Sequence, residues 1–232
     1  MSDPLLTVSH LGISFGNNEI LRDISFQAHR GDCIALVGPN GSGKSVLLRS
    51  LLGLIPYTGT ITWAPGTNVG YVPQSVNVER NLPLTGVEFF RVKGIHPKRA
   101  YELAAAVGVE QSTLRKRIGL LSSGQLQRLL IAWALSNEPH FILFDEPTSG
   151  IDVSGQESVY DLLDRLRKER GLSILLVSHD LNVVYSRADH VLCISRDLIC
   201  HGPPRKVLDE AMLERLYGTP VGLYSHHERH EH

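Results

Sequence analysis

The sequence predicts an α/β fold built on a parallel sheet, with antiparallel strands at the N-terminus and a helical subdomain inserted part-way. Three observations lead there. Strand-sized apolar runs at 33–37, 141–144, 173–177 and 191–194 alternate with helical patterns, the texture of a sheet covered by helices. Residues 5–28 instead alternate apolar and polar side chains around Gly16-Asn17-Asn18, which marks antiparallel strands. From about residue 76 to 136 the spacing turns helical.

Composition supports a globular reading. The chain has 232 residues, 42% hydrophobic and 20% charged, enough for one to two domains with a sizeable core and unlike disordered, collagenous or coiled-coil sequences. Lys plus Arg is 23 and Asp plus Glu is 24, so no nucleic-acid partner is expected. No apolar run approaches the roughly 18 residues that span a bilayer, and the start MSDPLLTVSH has no signal-peptide pattern. Cys33, Cys193 and Cys200 are an odd count without a CxxC pair, each in an apolar, strand-like run. They read as buried free thiols in a reducing compartment.

In chain order, the N-terminal strands lead into CIALV at 33–37, a buried strand that runs straight into glycines. A buried helix is expected over 46–54, and short strands at 60–63 and 69–72. Helices are expected over 85–92, 97–107 and 124–135. After the FILF strand at 141–144, a helix over 154–170 opens with a capping box at Ser154 and Glu157 and stops at Gly171. Strands follow at 173–177 and 191–194, then short helices over 203–217. The division this implies is a core of 1–75 and 137–202, a helical subdomain of 76–136, and C-terminal helices with a histidine-rich tail over 203–232.

Chemistry concentrates first at Gly38, Pro39, Asn40, Gly41, Ser42, Gly43, Lys44 and Ser45, which fit G-x-x-x-x-G-K-[ST] between a buried strand and a helix. Glycines let successive N–H groups turn inward around phosphate oxygens, and the helix N-terminus adds positive potential. Lys44 is expected to reach the β- and γ-phosphates and Ser45 to offer its hydroxyl to Mg2+. Such loops need an acidic partner at the end of another buried strand. Asp145 and Glu146 follow FILF, Asp145 suited to holding Mg2+ and Glu146 to orienting or deprotonating an attacking water. Alone, that Asp-Glu pair reads equally as a helix start; the loop at Gly38 favours the catalytic reading.

With these motifs the chain resembles the ATP-binding subunit of ABC transporters, from about residue 5 to 217. Leu121-Ser122-Ser123-Gly124-Gln125 resembles the signature LSGGQ, Gln74 the Q-loop glutamine, Ser149-Gly150-Ile151-Asp152 the D-loop and His179 the switch histidine. Phe15 stands where the family places an aromatic against adenine, although alone it reads as strand packing. The resemblance implies a P-loop NTPase (RecA-like) core and an ATPase using ATP and Mg2+. It places Lys44, Gln74, Glu146 and His179 in catalysis and Ser45, Gln74 and Asp145 at the metal. Phe15, the loop from Gly38 to Ser45, Val46, Ser122, Ser123, Gly124 and Gln125 go to the nucleotide. Ser122 to Gln125 open an amphipathic helix and so form a second phosphate site. In the family that site meets the ATP of a second copy in a head-to-tail dimer.

Three departures stand out. Ser123 replaces the first signature glycine, Val46 a threonine frequent after the loop, and Gly150 a small alanine of the D-loop. None removes a catalytic group. The 48 positions from Gln74 to Ser122 hold a small helical subdomain and no long coiled coil, which disfavours DNA-repair ABC ATPases.

Within the family the likeness is to the ATPase of bacterial zinc importers, in the zinc/manganese group. It implies an integral membrane permease partner, indirectly a substrate-binding protein, and a place at the cytoplasmic face of the inner membrane. Manganese, iron or siderophore import shares every catalytic motif, and a soluble ABC ATPase of iron–sulfur cluster assembly is the alternative from another class. Four of 11 histidines fall in the last seven residues, a density that binds Zn2+ or Ni2+ loosely and equally suits a solvated tail.

Overall fold

The computed structural model describes residues 3–74, 76, 78–148, 151 and 153–218. Along the chain run β1 (Leu6–Phe15), β2 (Asn18–Ala28), β3 (Cys33–Val37), α1 (Lys44–Leu51), β4 (Thr58–Trp63) and β5 (Val69–Val72). Next come α2 (Gly86–Val92), α3 (Pro97–Ala106), α4 (Gln111–Leu114), a 3-10 turn at Ile118–Leu120, and α5 (Ser123–Leu135). The remainder is β6 (Phe141–Asp145), α6 (Val153–Arg170), β7 (Ser173–Val177), α7 (Leu181–Arg187), β8 (His190–Ser195), β9 (Asp197–Gly202), α8 (Pro204–Val207) and α9 (Glu210–Tyr217).

Two sheets organise these elements. The smaller, ordered β2-β1-β4, is antiparallel. The larger runs β5-β6-β7-β3-β8-β9, parallel except for β9. Strand periodicity splits the core. Ile34, Leu36, Phe141, Leu143, Leu175 and Val177 face the small sheet and α1. Ile142, Phe144, Ile174 and Leu176 face α5 and α6. Ala35 and Val37 face α7 and α9. Each such side chain contributes roughly 1.5–3 kcal/mol on burial, so β3 to β7 form a stiff platform. Their C-terminal ends, where strand order jumps from β3 to β7 and back, are where ligands sit in open α/β sheets.

Local signals set most helix ends. α1 stops because Gly53 turns left-handed at φ +69°. α2 opens on a capping box between Thr85 and Glu88. α6 ends at Gly171, φ +61°. α4 and α7 were not expected from the sequence; the four residues of α4 span barely one turn, too few to show a period.

The thiol expectation is corrected. Cys33 is free and buried, but Cys193 and Cys200 form a disulfide. Cys200 does lie in a strand, as expected, but the antiparallel return of β9 on β8 that creates the pairing was not expected. Arg196 at φ +70° takes a turn position that usually signals glycine, and the hairpin register sets Cys193 opposite Cys200 with Cα atoms 4.8 Å apart. The expected D-loop residues Ser149, Gly150 and Asp152, the Ser154 cap side chain and the tail over 219–232 lie outside the described residues.

Candidate functional site

The site begins where β3 meets α1. Gly38 is held against β8, and a Cβ there would stand 2.1 Å from the Ile194 carbonyl oxygen. Gly43, φ +98°, packs against β2, where an added Cβ would meet the Leu21 side chain at 2.6 Å. Gly41, φ +78°, faces open space. Glycine is therefore required at Gly38 and Gly43 by close approach and at Gly41 and Gly43 by backbone geometry. The loop is drawn around Lys44, which is 6% exposed. Its Nζ donates to the carbonyls of Gly38 at 2.8 Å and Pro39 at 2.9 Å. Burial pushes this ammonium down from its ordinary value, against the pull of Glu146 and Asp145.

Neighbouring strands complete the site. Asp145 ends β6 nearly buried, and Ser45 Oγ donates to its Oδ1 at 3.0 Å. Tyr71 on β5 sets its hydroxyl 3.4 Å from Oδ2. Burial pushes the Asp145 carboxyl above the usual range, partly offset by the Ser45 hydroxyl. The hydroxyl and carboxylate are hard oxygen donors of the kind Mg2+ takes beside substrate phosphates. Among the described residues no cluster of three His, Cys, Asp or Glu side chains could cage a metal alone.

Glu146 turns out of the strand at φ +50°, a left-handed conformation that costs a non-glycine residue about 1 kcal/mol or more. Its carboxylate accepts from Gln74 Nε2 at 2.6 Å and meets His179 Nε2 at 2.5 Å. His179 lies two residues past the end of β7, and the next residue, Asp180, caps α7 through the Asn182 N–H. Asn40, Gly41, Gly43, Lys44, Ser45, Val46, Gln74, Glu146 and His179 share one open cleft of about 650 Å³. Residues assigned separately from the sequence thus converge on one space. Ile20 of β2 lines it too; no motif marks it, and only the packing of β2 on Gly43 brings it there. Ser42 is buried, and its hydroxyl has no hydrogen-bond partner among the described residues. Phe15, half-exposed at the end of β1, is outside that lining. Tyr71 also escaped the sequence reading, its hydroxyl reaching Asp145 only through the β5–β6 register.

The second expected phosphate site opens α5 on a separate hollow with Gly108, Arg128, Ile151 and Gly155. Here Ser122 Oγ accepts the Gln125 N–H and Gln125 Oε1 accepts the Ser122 N–H, a reciprocal capping box. The box occupies those two donors and presents the Ser123 and Gly124 N–H groups at the positive end of the helix. Ser123 changes none of this, because the donor there is backbone.

The family model for the ABC transporter matches residues 21–149, more than half the chain, and spans the loop, Asp145, Glu146 and the signature segment. The chain belongs to the ABC transporter family. A model for an AAA domain also matches residues 117–184. As a member, the chain is an ATP-binding, ATP-hydrolysing subunit of a transport system. It is 40% identical over 235 residues to the zinc import ATP-binding protein ZnuC of Yersinia pestis, covering 98% of this chain and 92% of that one. It is 38% identical over 237 residues to the ZnuC of Pseudomonas fluorescens, covering 100% and 90%. Among solved structures, a metal-chelate type ABC transporter in an inward-facing conformation superposes with TM-score 0.82 at 27% identity, over 94% of this chain and 90% of that one. The cbiO1 protein of Clostridium perfringens, part of the cbiONQ transporter complex, superposes with TM-score 0.76 at 26% identity, over 92% and 94%. No helix among the described residues is long and apolar enough to cross a membrane.

Proposed function

We propose that this ABC ATPase powers zinc import, working beneath a separate membrane permease at the cytoplasmic face of the bacterial inner membrane. The observation that carries the reading is the likeness to zinc import ATP-binding proteins over nearly the whole length of both chains. The converging cleft supplies the engine. In this reading ATP lies along the loop from Gly38 to Ser45, its β- and γ-phosphates taking the Lys44 ammonium, with Phe15 or Ile20 against the base. Ser45, Asp145 and Gln74 would hold Mg2+, which neutralises charge on the phosphate oxygens when bound. Glu146 accepts the proton of the attacking water, and His179 fixes the carboxylate and faces the γ-phosphate.

A second copy closes head to tail, setting the Ser123 and Gly124 N–H groups over the γ-phosphate held by its partner. The helical subdomain of 76–136, joined to the core beside Gln74, transmits closure to the permease, which receives its ion from a substrate-binding protein. The substrate's charges would offset two burial costs: the buried Lys44 would gain an anion and the buried Asp145 a cation.

The test is zinc and manganese uptake in metal-starved cells carrying the native chain or Lys44→Ala. Loss of zinc uptake alone is the expected result. Loss of manganese uptake alone would reassign the ion. No change in either would remove the metal assignment.

A further inference from the structure

The signature segment must be aimed as well as formed, and the capping box aims nothing beyond its own turn. α5 belongs to the helical insert, whereas α6 packs on the parallel sheet. A polar tie between them is Arg128, one turn past Gln125. Its Nη1 donates to the Val107 carbonyl at 2.5 Å. Its Nη2 donates to the Ser158 hydroxyl at 2.5 Å and lies 3.4 Å from the Ser158 carbonyl. Val107 is the C-cap of α3, so one guanidinium spans three helices. Arg165 of α6 returns to the same helix end, donating to Ala106 O at 2.8 Å. The last carbonyls of α3, which have no acceptor role within their helix, are thus met by cations from α5 and α6, at the end where the dipole favours positive charge.

Arginine suits this place, because a planar fork of five donors reaches divergent acceptors together whereas an ammonium is a point charge. The backbone is shaped to admit it. Gly108 sits at φ +73°, and a Cβ there would stand 3.1 Å from Arg128 Nη1. Arg128 also lines the hollow that holds Ser122, Ser123, Gly124 and Gln125.

We propose that Arg128 is a positioning residue that locks the signature helix to α6, fixing the angle at which the Ser123 and Gly124 N–H groups meet a second subunit. This rests on the dimer reading above. Arg128 touches neither nucleotide nor metal in the cleft of its own chain, so its loss leaves ATP binding by the single chain intact and impairs closure.

The full-length chain carrying Glu146→Gln, with Arg128, Arg128→Lys or Arg128→Met, is tested for ATP affinity at low protein concentration and for ATP-induced dimerisation by light scattering. The turnover number is measured without the Glu146 change. Expected are unchanged ATP affinity, dimerisation weakened about tenfold to a hundredfold in Arg128→Met, the size of a coupling between two distant sites, and a parallel fall in turnover number. Arg128→Lys should lie between. Dimerisation at the level of the Arg128 parent in both variants would overturn the assignment. So would ATP affinity and melting temperature falling together, the mark of a merely structural arginine. If the parent with Arg128 intact stays monomeric with ATP, the dimer reading itself is wrong and this inference goes with it.

Discussion

Changing Glu146 to glutamine tests the chemistry of the cleft while sparing its architecture. In the structure the carboxylate takes the Gln74 amide on one oxygen at 2.6 Å and the His179 ring on the other at 2.5 Å. A glutamine keeps an oxygen for Gln74 and presents an N–H to His179, so both contacts survive and the left-handed turn at this residue is unchanged. Two things are lost, the negative charge and the proton acceptor. Removal of a positioned general base slows the chemical step by about 10²–10⁴-fold, or roughly 2.7–5.5 kcal/mol on the barrier. ATP affinity should hold or rise, because an anion facing the triphosphate is gone while Lys44 keeps both loop carbonyls. The assay is single-turnover release of phosphate alongside equilibrium ATP binding, with size-exclusion chromatography to look for an ATP-loaded dimer that no longer reopens. Hydrolysis at the native rate would refute the base assignment. Loss of ATP binding would refute the claim that Glu146 acts after the nucleotide is seated.

Three further outcomes follow from the same geometry. Gly38→Ala forces a methyl group to within 2.1 Å of the Ile194 carbonyl, backbone that cannot swing away. It should destabilise by roughly 3 kcal/mol and lower the melting temperature by roughly 6–12 °C; a calorimetric scan matching the native chain would show that β3 and β8 are less tightly docked than described. Asp145, raised by burial, keeps its proton to higher pH in the folded than in the unfolded chain. Its contribution to stability is therefore complete below the unfolded value and is lost as pH rises through the folded one. Without nucleotide, Asp145→Asn should gain stability relative to the native chain from mild acid towards neutrality, and parallel denaturant midpoints across that range would contradict the burial argument. Maleimide labelling read by intact mass should find no reactive cysteine without reductant, because Cys193 and Cys200 are paired and burial pushes the Cys33 thiol up to about 12. Two labels without reductant would mean the hairpin carries free thiols.

Much of the molecule was legible from short-range pattern. The loop at Gly38 needs only a strand, a run of glycines and a helix in immediate succession, so its residues announce it. The apolar runs at β3, β6 and β7 do the same for the sheet, since strands buried on both faces must be apolar throughout. Ser122 and Gln125 likewise write their own capping box. Tertiary structure decided what distance along the chain hides. Gln74 and His179 stand 72 and 33 positions from Glu146, and they meet it only because the sheet places β5, β6 and β7 side by side. Ile20 joins the cleft because β2 crosses Gly43, and Cys193 finds Cys200 because a two-strand register sets them opposite. Arg128 reads in sequence as an ordinary helix charge; the fold turns it into the tie between three helices. The physical reason is one of range. Backbone conformation and apolar period are written within a few residues, whereas a hydrogen bond between distant side chains exists only after packing has spent the chain's entropy in bringing them together.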